Sequence, residues 1–362
     1  MKFQDGVSKK WVGLGAMVVA GGLSWFGVSE NNQKKERNRD KRAVIDWTVP
    51  GVFGGLKRDA RTARSDVPTW ATGFEDRGHR IREYYQAAKG RKEIEAVLKR
   101  RPRDVKLLQA VYFLTKDPGH LEELKRLATT KEHFAFLALT IRGEDRKEWA
   151  QKMQKADPEN ALGLVLEATR GGVGFEEVKQ LLGEAAEKAD FDTYQTFFRE
   201  GEAELMSELG RSELELQLYR VSEDSDANQV PFSLIKTLRA TKIGDGGDSA
   251  NTAEYISSFV EIAELMEGKY REESVNYRVI SSLIEKEALE KVPDYFEFGE
   301  AGESVGDRLR VLNERDLAAA AATKKTWDFQ NYASEDDWLT YRKMVEEKGL
   351  TAAWAWVDEK LQ

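Results

Sequence analysis

Between residues 103 and 189 the apolar positions come in pairs of helical segments. The first segment of each pair is apolar on nearly every side, and the second is apolar along one face. "RDVKLLQAVYFLTKDPGHLEELKRLATT" (103–130), "KEHFAFLALTIRGEDRKEWAQKMQKA" (131–156) and "DPENALGLVLEATRGGVGFEEVKQLLGEAAEKA" (157–189) align as three such units. "AVYFL", "AFLAL" and "GLVLEA" hold equivalent places in the first segments. In the second segments Leu124 with Leu127, Trp149 with Met153, and Val178 with Leu182 recur three or four residues apart, which places each pair on one helical face. The period is about 30 residues and drifts, within the range of helical-repeat architectures. An apolar first helix needs cover on more than one side, and stacked neighbours supply it.

The same helical pattern runs from about residue 75 to the last residues. Brief breaks interrupt it at Gly90, "RRPRD", "KDPG", "RGED", "ADPEN", "RGGVG" and "ADFD". Breaks this short fold neighbouring helices back on one another. Beyond residue 220 the pattern predicts helices near 229–242, 248–267, 271–291, 303–322, 335–348 and 350–361. No stretch shows the valine, isoleucine and threonine alternation of a sheet. The expected fold class is all-α, a helical-hairpin repeat body of α-solenoid-like form.

Residues 11–28, "WVGLGAMVVAGGLSWFGV", form an uncharged run of a different kind. As a helix it spans about 27 Å, close to a hydrocarbon core of about 30 Å. Trp11 at one end and Trp25 with Phe26 near the other sit where interfacial aromatics belong. The run is longer than the apolar region of a secretory signal and lacks a small-residue cleavage site after it, so a retained single-pass transmembrane helix is expected. Gly13, Ala16, Ala20, Ser24 and Gly27 form a small-residue stripe along it, the feature through which two anchors could pack as a homodimer. Glycine is also simply frequent in membrane helices.

Charge is divided unevenly around that run. Residues 1–30 carry a net +1, residues 31–64 a net +6 and the remainder a net −15, within a total of −8. A basic collar therefore joins the apolar run to an acidic body, an arrangement suited to anionic lipid headgroups and opposed to nucleic-acid binding. Lys9 and Lys10 abut the run on one side, whereas Lys34 lies farther off on the other. That asymmetry leans toward an extracytoplasmic body, while the raw count of bases beyond the run points the other way. The resulting domain order is a tail (1–10), an anchor (11–28), a basic juxtamembrane linker (29–74), a repeat-like lobe (75–242) and a C-terminal lobe (243–362). The linker holds a short apolar patch of Trp47, Val52, Phe53 and Leu56, and "KIGDGGDS" (242–249) separates the lobes.

"WAQKMQKADPENALGLVLEA" (149–168) resembles a tetratricopeptide-repeat junction, in which a helix ends on an alanine-containing turn and "DPENA" opens the next hairpin. Asp157 would cap the new helix, Pro158 would take its first position, and Ala161 would admit close helix contact, with Asn160 between them. The resemblance is confined to this junction and covers at most residues 90–220. It implies an α-solenoid whose concave face binds peptides or proteins rather than catalysing a reaction.

Candidates for chemistry are sparse. The chain has no cysteine and three histidines, His79, His120 and His133, none in a metal-binding spacing. "DSDANQ" (224–229) opens like a calcium loop, but Gln229 stands at the glycine position and Ile235 at the bidentate glutamate position. "RGGVGF" and "GDGGDS" read as turns rather than phosphate loops. No residue is assigned a catalytic, cofactor-binding or metal role. The tail residues Trp327, Phe329, Tyr332, Trp338, Tyr341, Trp354 and Trp356 read either as a capping hairpin or as an aromatic patch for a partner. The expected function is a membrane-anchored scaffold for protein contacts in an envelope or membrane assembly. The alternatives are a helical-lobe enzyme acting on an envelope polymer and a purely structural subunit of a membrane complex.

Overall fold

A computed structural model describes residues 74–221, 229–240, 249–271, 273, 275–292, 297–298, 303–330 and 333–361. The expected anchor residues Trp11, Gly13, Ala16, Ala20, Ser24, Trp25 and Phe26, the apolar linker patch, most of "DSDANQ" and most of "KIGDGGDS" lie outside the described residues. Among the described residues no helix is long and apolar enough to cross a membrane.

The body is all-α. The first eight helices are α1 (Phe74–Gln86), α2 (Ala88–Arg100), α3 (Val105–Thr115), α4 (Pro118–Leu127), α5 (Lys131–Thr140), α6 (Asp145–Ala156), α7 (Leu162–Ala168) and α8 (Phe175–Ala186). They are followed by α9 (Gln195–Glu208), α10 (Glu213–Val221), α11 (Gln229–Ala240), α12 (Ser249–Tyr270) and α13 (Val275–Leu289). After a two-residue antiparallel ladder of β1 (Glu297–Phe298) and β2 (Glu303–Ser304) come α14 (Val305–Gln330), α15 (Glu335–Lys348) and α16 (Leu350–Lys360).

Local sequence sets the starts. The Asp104 carboxylate accepts from Leu107 N at 3.0 Å to open α3. Asp117 accepts from Gly119 N at 2.8 Å, with Pro118 in the first turn of α4, where its missing donor costs nothing. At α5 the third-residue side chain does this work, His133 Nδ1 accepting from Thr129 N at 3.2 Å. Helix α14 runs to Gln330 rather than ending near 322, because burial of Phe329 in the C-terminal cluster outweighs the modest helix propensity of Thr323, Thr326, Trp327 and Asp328.

The expected pairs α3/α4, α5/α6 and α7/α8 are packed helical hairpins, and α1/α2 and α9/α10 add two more. The first helices are the interior. All seven residues of α7 are buried, and in α3 the buried positions run almost unbroken from Leu107 to Thr115. Their cover comes partly from beyond the repeat: α9 packs on α3 and α11 on α7. Phe113, Phe136 and Phe198, one each from α3, α5 and α9, meet edge to face with centroids 5.0–6.2 Å apart. The first helices of the 103–189 hairpins are therefore covered in part by the chain's own α9 and α11.

Packing also closes a circuit. From α8 it passes to α12, α13, α14, α16 and α15, and α15 returns through α10 to α1. Trp338 of α15 is buried against Leu218, with Ile81 beside it, and Arg77 of α1 pairs with Glu335 at 2.7 Å. The aromatic tail is thus largely internal, with Phe329, Tyr341 and Val357 in one cluster; the Trp327 side chain and Tyr332 lie outside the described residues. One apolar cluster extends from Leu108 to Leu312, with smaller clusters beside it.

Gly201 on α9 marks the closest approach in this closure, since a Cβ there would lie 2.9 Å from the Lys106 carbonyl oxygen and 3.1 Å from Lys106 Cγ. Gly201→Ala is expected to destabilise the fold by about 1–3 kcal/mol through overpacking, outweighing the helix propensity gained. Gly183→Ala on α8, where nothing lies within 4 Å, should stabilise by roughly 0.5–1 kcal/mol. Urea unfolding of the two variants should give midpoints shifted in opposite directions.

Candidate functional site

The junction at 157–161 lies in a polar network that joins the end of α6, the start of α7 and the loop at 190. Asp157 ends α6, its N–H bonding to Met153 O at 2.8 Å, and α7 begins only at Leu162. The expected roles therefore shift along the chain. Pro158 is exposed in the turn rather than inside a helix, and Asn160, one residue before the N-cap Ala161, takes the part expected of Asp157, its Oδ1 accepting from Leu162 N at 3.0 Å. The reason is the length of the turn: Ala161 N is already engaged by Asp190 O at 2.8 Å, and Asp190 N bonds back to Glu159 O at 3.1 Å, which bridges Asn160 to Asp190 in the neighbouring loop. Ala161 is fully buried.

Asn160, 1% exposed, uses its whole amide. Oδ1 also accepts from Asp192 N at 3.1 Å, and Nδ2 donates to Asp192 O at 2.9 Å and to the Tyr194 hydroxyl at 3.2 Å. No other side chain of asparagine size could supply two donors and two acceptors at that spot. Tyr194 sits in the left-handed region at φ 57°, and its hydroxyl donates to Asp157 Oδ2, which also accepts from Lys131 Nζ at 3.1 Å. Burial alone would lift the Asp157 carboxyl, but the Tyr194 hydroxyl and Lys131 outweigh it and hold the group below its ordinary range. Burial and the facing Asp157 push the Tyr194 hydroxyl up.

The network continues onto α12. Thr193 N donates to the Tyr270 hydroxyl at 2.6 Å, and Lys269 Nζ lies 3.4 Å from Asp190 and 3.3 Å from Asp192. Beside this seam a cleft of about 520 Å³ opens between α8 and α12, lined by Ala186, Asp190, Glu261, Glu264, Gly268 and Lys269. Glu264 is engaged by Arg308 at 2.7 Å and Asp190 by Lys269. Glu261 is exposed at the rim; partial burial, with Glu264 and Glu187 nearby, raises its carboxyl. Among the described residues no group of three or more potential ligands is placed to hold a metal ion. Of the histidines, His133 caps α5 and His120 Nδ1 lies 3.3 Å from Thr115 Oγ1.

Sequence reading found one half of this site and missed the other. "ADFDTY" (189–194) contains a helix break with neither glycine nor proline, and such a break has to be held by side chains. Its paired aspartates were the available signal. Lys269, Tyr270 and the cleft carboxylates carried none, because they are ordinary surface letters until α12 is docked. Comparison with known proteins adds no relative: no family model matches the chain, and no curated protein or solved structure does.

Replacing Asn160 by alanine strands buried groups on both sides of the seam and should cost about 2–4 kcal/mol, whereas Pro158→Ala at the exposed turn should stay within about 0.5 kcal/mol. Asp157 titrates lower in the folded chain than in the unfolded one, so its contribution is fully present above the ordinary carboxylate range and is lost as pH falls through the depressed value. Asp157→Asn should flatten the acid limb of a stability-against-pH curve while lowering stability at neutral pH. An acid limb identical to that of the wild type would remove Asp157 from the account.

Proposed function

We propose that the chain is a single-pass membrane protein whose helical body is a scaffold for protein contacts in an envelope or membrane assembly. The observation that supports it most is the packing. Apolar first helices are consumed by the core, and the second helices α4, α6 and α8 carry mixed-charge faces outward, which gives a broad rigid surface rather than an enclosed reaction chamber. The body is read as a tetratricopeptide-like hairpin row, α-solenoid in kind, bent until its ends meet. In an open row of that kind the partner would lie on the first helices. Here α9 and α11 lie there, so the contact surface moves to the outer helices and to the cleft between α8 and α12.

The anchor at 11–28 supplies the attachment, with Trp11, Trp25 and Phe26 at its boundaries and Gly13, Ala16, Ala20 and Ser24 as the stripe for a homodimer. In this reading the body lies on the extracytoplasmic side, with Lys9 and Lys10 held across the membrane on the cytoplasmic side. The rival reading, an enzyme on an envelope polymer, requires two carboxyl groups free to act across a cleft. In the cleft described, Asp190 and Glu264 are held by Lys269 and Arg308, so protein contact is the reading retained.

Two measurements test this. Alkaline extraction should leave the full chain in the membrane fraction and release a chain that begins at residue 31; release of both would end the anchor reading. A photocrosslinking residue in place of Glu261 should give discrete protein adducts in membranes, and Gly268→Trp, which fills the cleft where an added Cβ would meet nothing within 4 Å, should abolish them. Adducts that persist in that variant would remove the cleft as the contact site.

A further inference from the structure

Helix α2 carries a charge pattern that departs from the acidic body around it. Gly90, Ile94 and Val97 face inward. The opposite face presents Lys92 and Lys99, flanked by Lys89, Arg91 and Arg100, all exposed, and Arg103 follows in the exposed turn. Glu95 is the acid that shares this face. Arg100 is drawn aside to Glu208 at 2.9 Å, whereas Lys92, Lys99 and Arg103 project into water with no ion pair among the described residues. Helix α2 is an outer helix packed on α1 and α3, and the collar ending at Arg64 precedes it in the chain.

We propose that this face of α2 lies against an anionic lipid surface and fixes the tilt of the body. The inference rests on the membrane reading of residues 11–28. A remainder at net −15 is repelled by a negative bilayer, so the body has a preferred approach only through a face where the sign is reversed. A helix of this length offers about 20 Å of basic surface, and clusters of four to eight bases beside a membrane recognise acidic headgroups. Lipid is the polyanion that the apolar run and the collar bring within reach. An extended nucleic acid would have to pass from α2 onto acidic surface.

The chain has no cysteine, which allows a single reporter. A fluorophore at Ala96→Cys, exposed between Lys92 and Lys99, is compared with one at Glu184→Cys on α8, using the full chain in vesicles that carry a nitroxide-labelled lipid. With phosphatidylglycerol present, the Ala96 label should be quenched severalfold more than on neutral phosphatidylcholine. The quenching should fade near 1 M salt, where the screening length is about 3 Å. Lys92→Gln, Lys99→Gln and Arg103→Gln combined should lower the docked population about a hundredfold, with helicity and the Glu184 signal unchanged. If the chain floats with both kinds of vesicle while Ala96 is quenched on neither, the proposal fails and the anchor stands. Flotation with acidic vesicles only, abolished by the triple variant, keeps the lipid face and removes the anchor. Flotation with neither overturns both. Shielding of Ala96 that rises with protein density whatever the lipid assigns the face to a second copy, and displacement of vesicles by duplex DNA assigns it to nucleic acid; either result overturns the proposal.

Discussion

A helix without a polar face cannot lie at the edge of a row, and this constraint organises the body. Every residue of α7 is buried and α3 is buried along most of its length, so each needs neighbours all round. Leaving one side of such a helix in water would forfeit about 1.5–3 kcal/mol for each large apolar side chain exposed, which over three helices exceeds the net stability of a typical domain. Stacking supplies cover on two sides only. The remaining side has to be closed by something else, and the chain closes it with α9 and α11.

Closure brings charged residues to seams where water is scarce. Glu202, 4% exposed, meets Arg220 Nε at 3.4 Å, and Arg220 reaches on to Glu346 at 2.9 Å and to the Arg199 carbonyl at 2.7 Å, joining α9, α10 and α15. At the other seam Glu285, wholly buried on α13, accepts from Arg308 Nε at 2.5 Å, and Arg315 pairs with Glu267, so that α14 is tied to α12 and α13. Burial lifts the Glu285 carboxyl even though Arg308 draws it down. Pairs of this kind add little net stability, because desolvation offsets the attraction, but losing one partner leaves a buried charge at a cost of about 3–5 kcal/mol. Their effect is on register: a helix docked one turn out of place would strand them.

The elements and their pairing were legible in the sequence because they depend on local signals, namely apolar spacing, caps and short breaks. The hairpins of 103–189 and the helix at 335–348 appear where the pattern places them. The closure was not legible, since nothing local distinguishes α9, which covers α3, from α4, which faces water. Gly201 and Phe198 acquire their meaning only from Lys106 and Phe136, about 60 to 100 residues earlier in the chain. The junction shows both cases at once. Its turn is recognisable from Asp157 to Ala161, yet which side chain meets the start of α7 is not, because the competing claim on Ala161 N comes from Asp190, in the loop between α8 and α9.

Closure also decides where recognition can occur. An open solenoid presents its first helices to a ligand and can change curvature to fit it, since each repeat touches only its neighbours. A circuit that returns through α15 and α10 to α1 has lost that freedom, because bending one hairpin would break the seam at Arg77 and Glu335 or at Arg220 and Glu346. What remains available is the fixed outer surface, and there the charges are sorted. Basic side chains gather on α2 at the start of the described body, and carboxylates gather at the cleft between α8 and α12. A rigid body with sorted charge couples orientation to position: whatever draws the basic end toward a negative surface also sets the direction in which the acidic cleft faces.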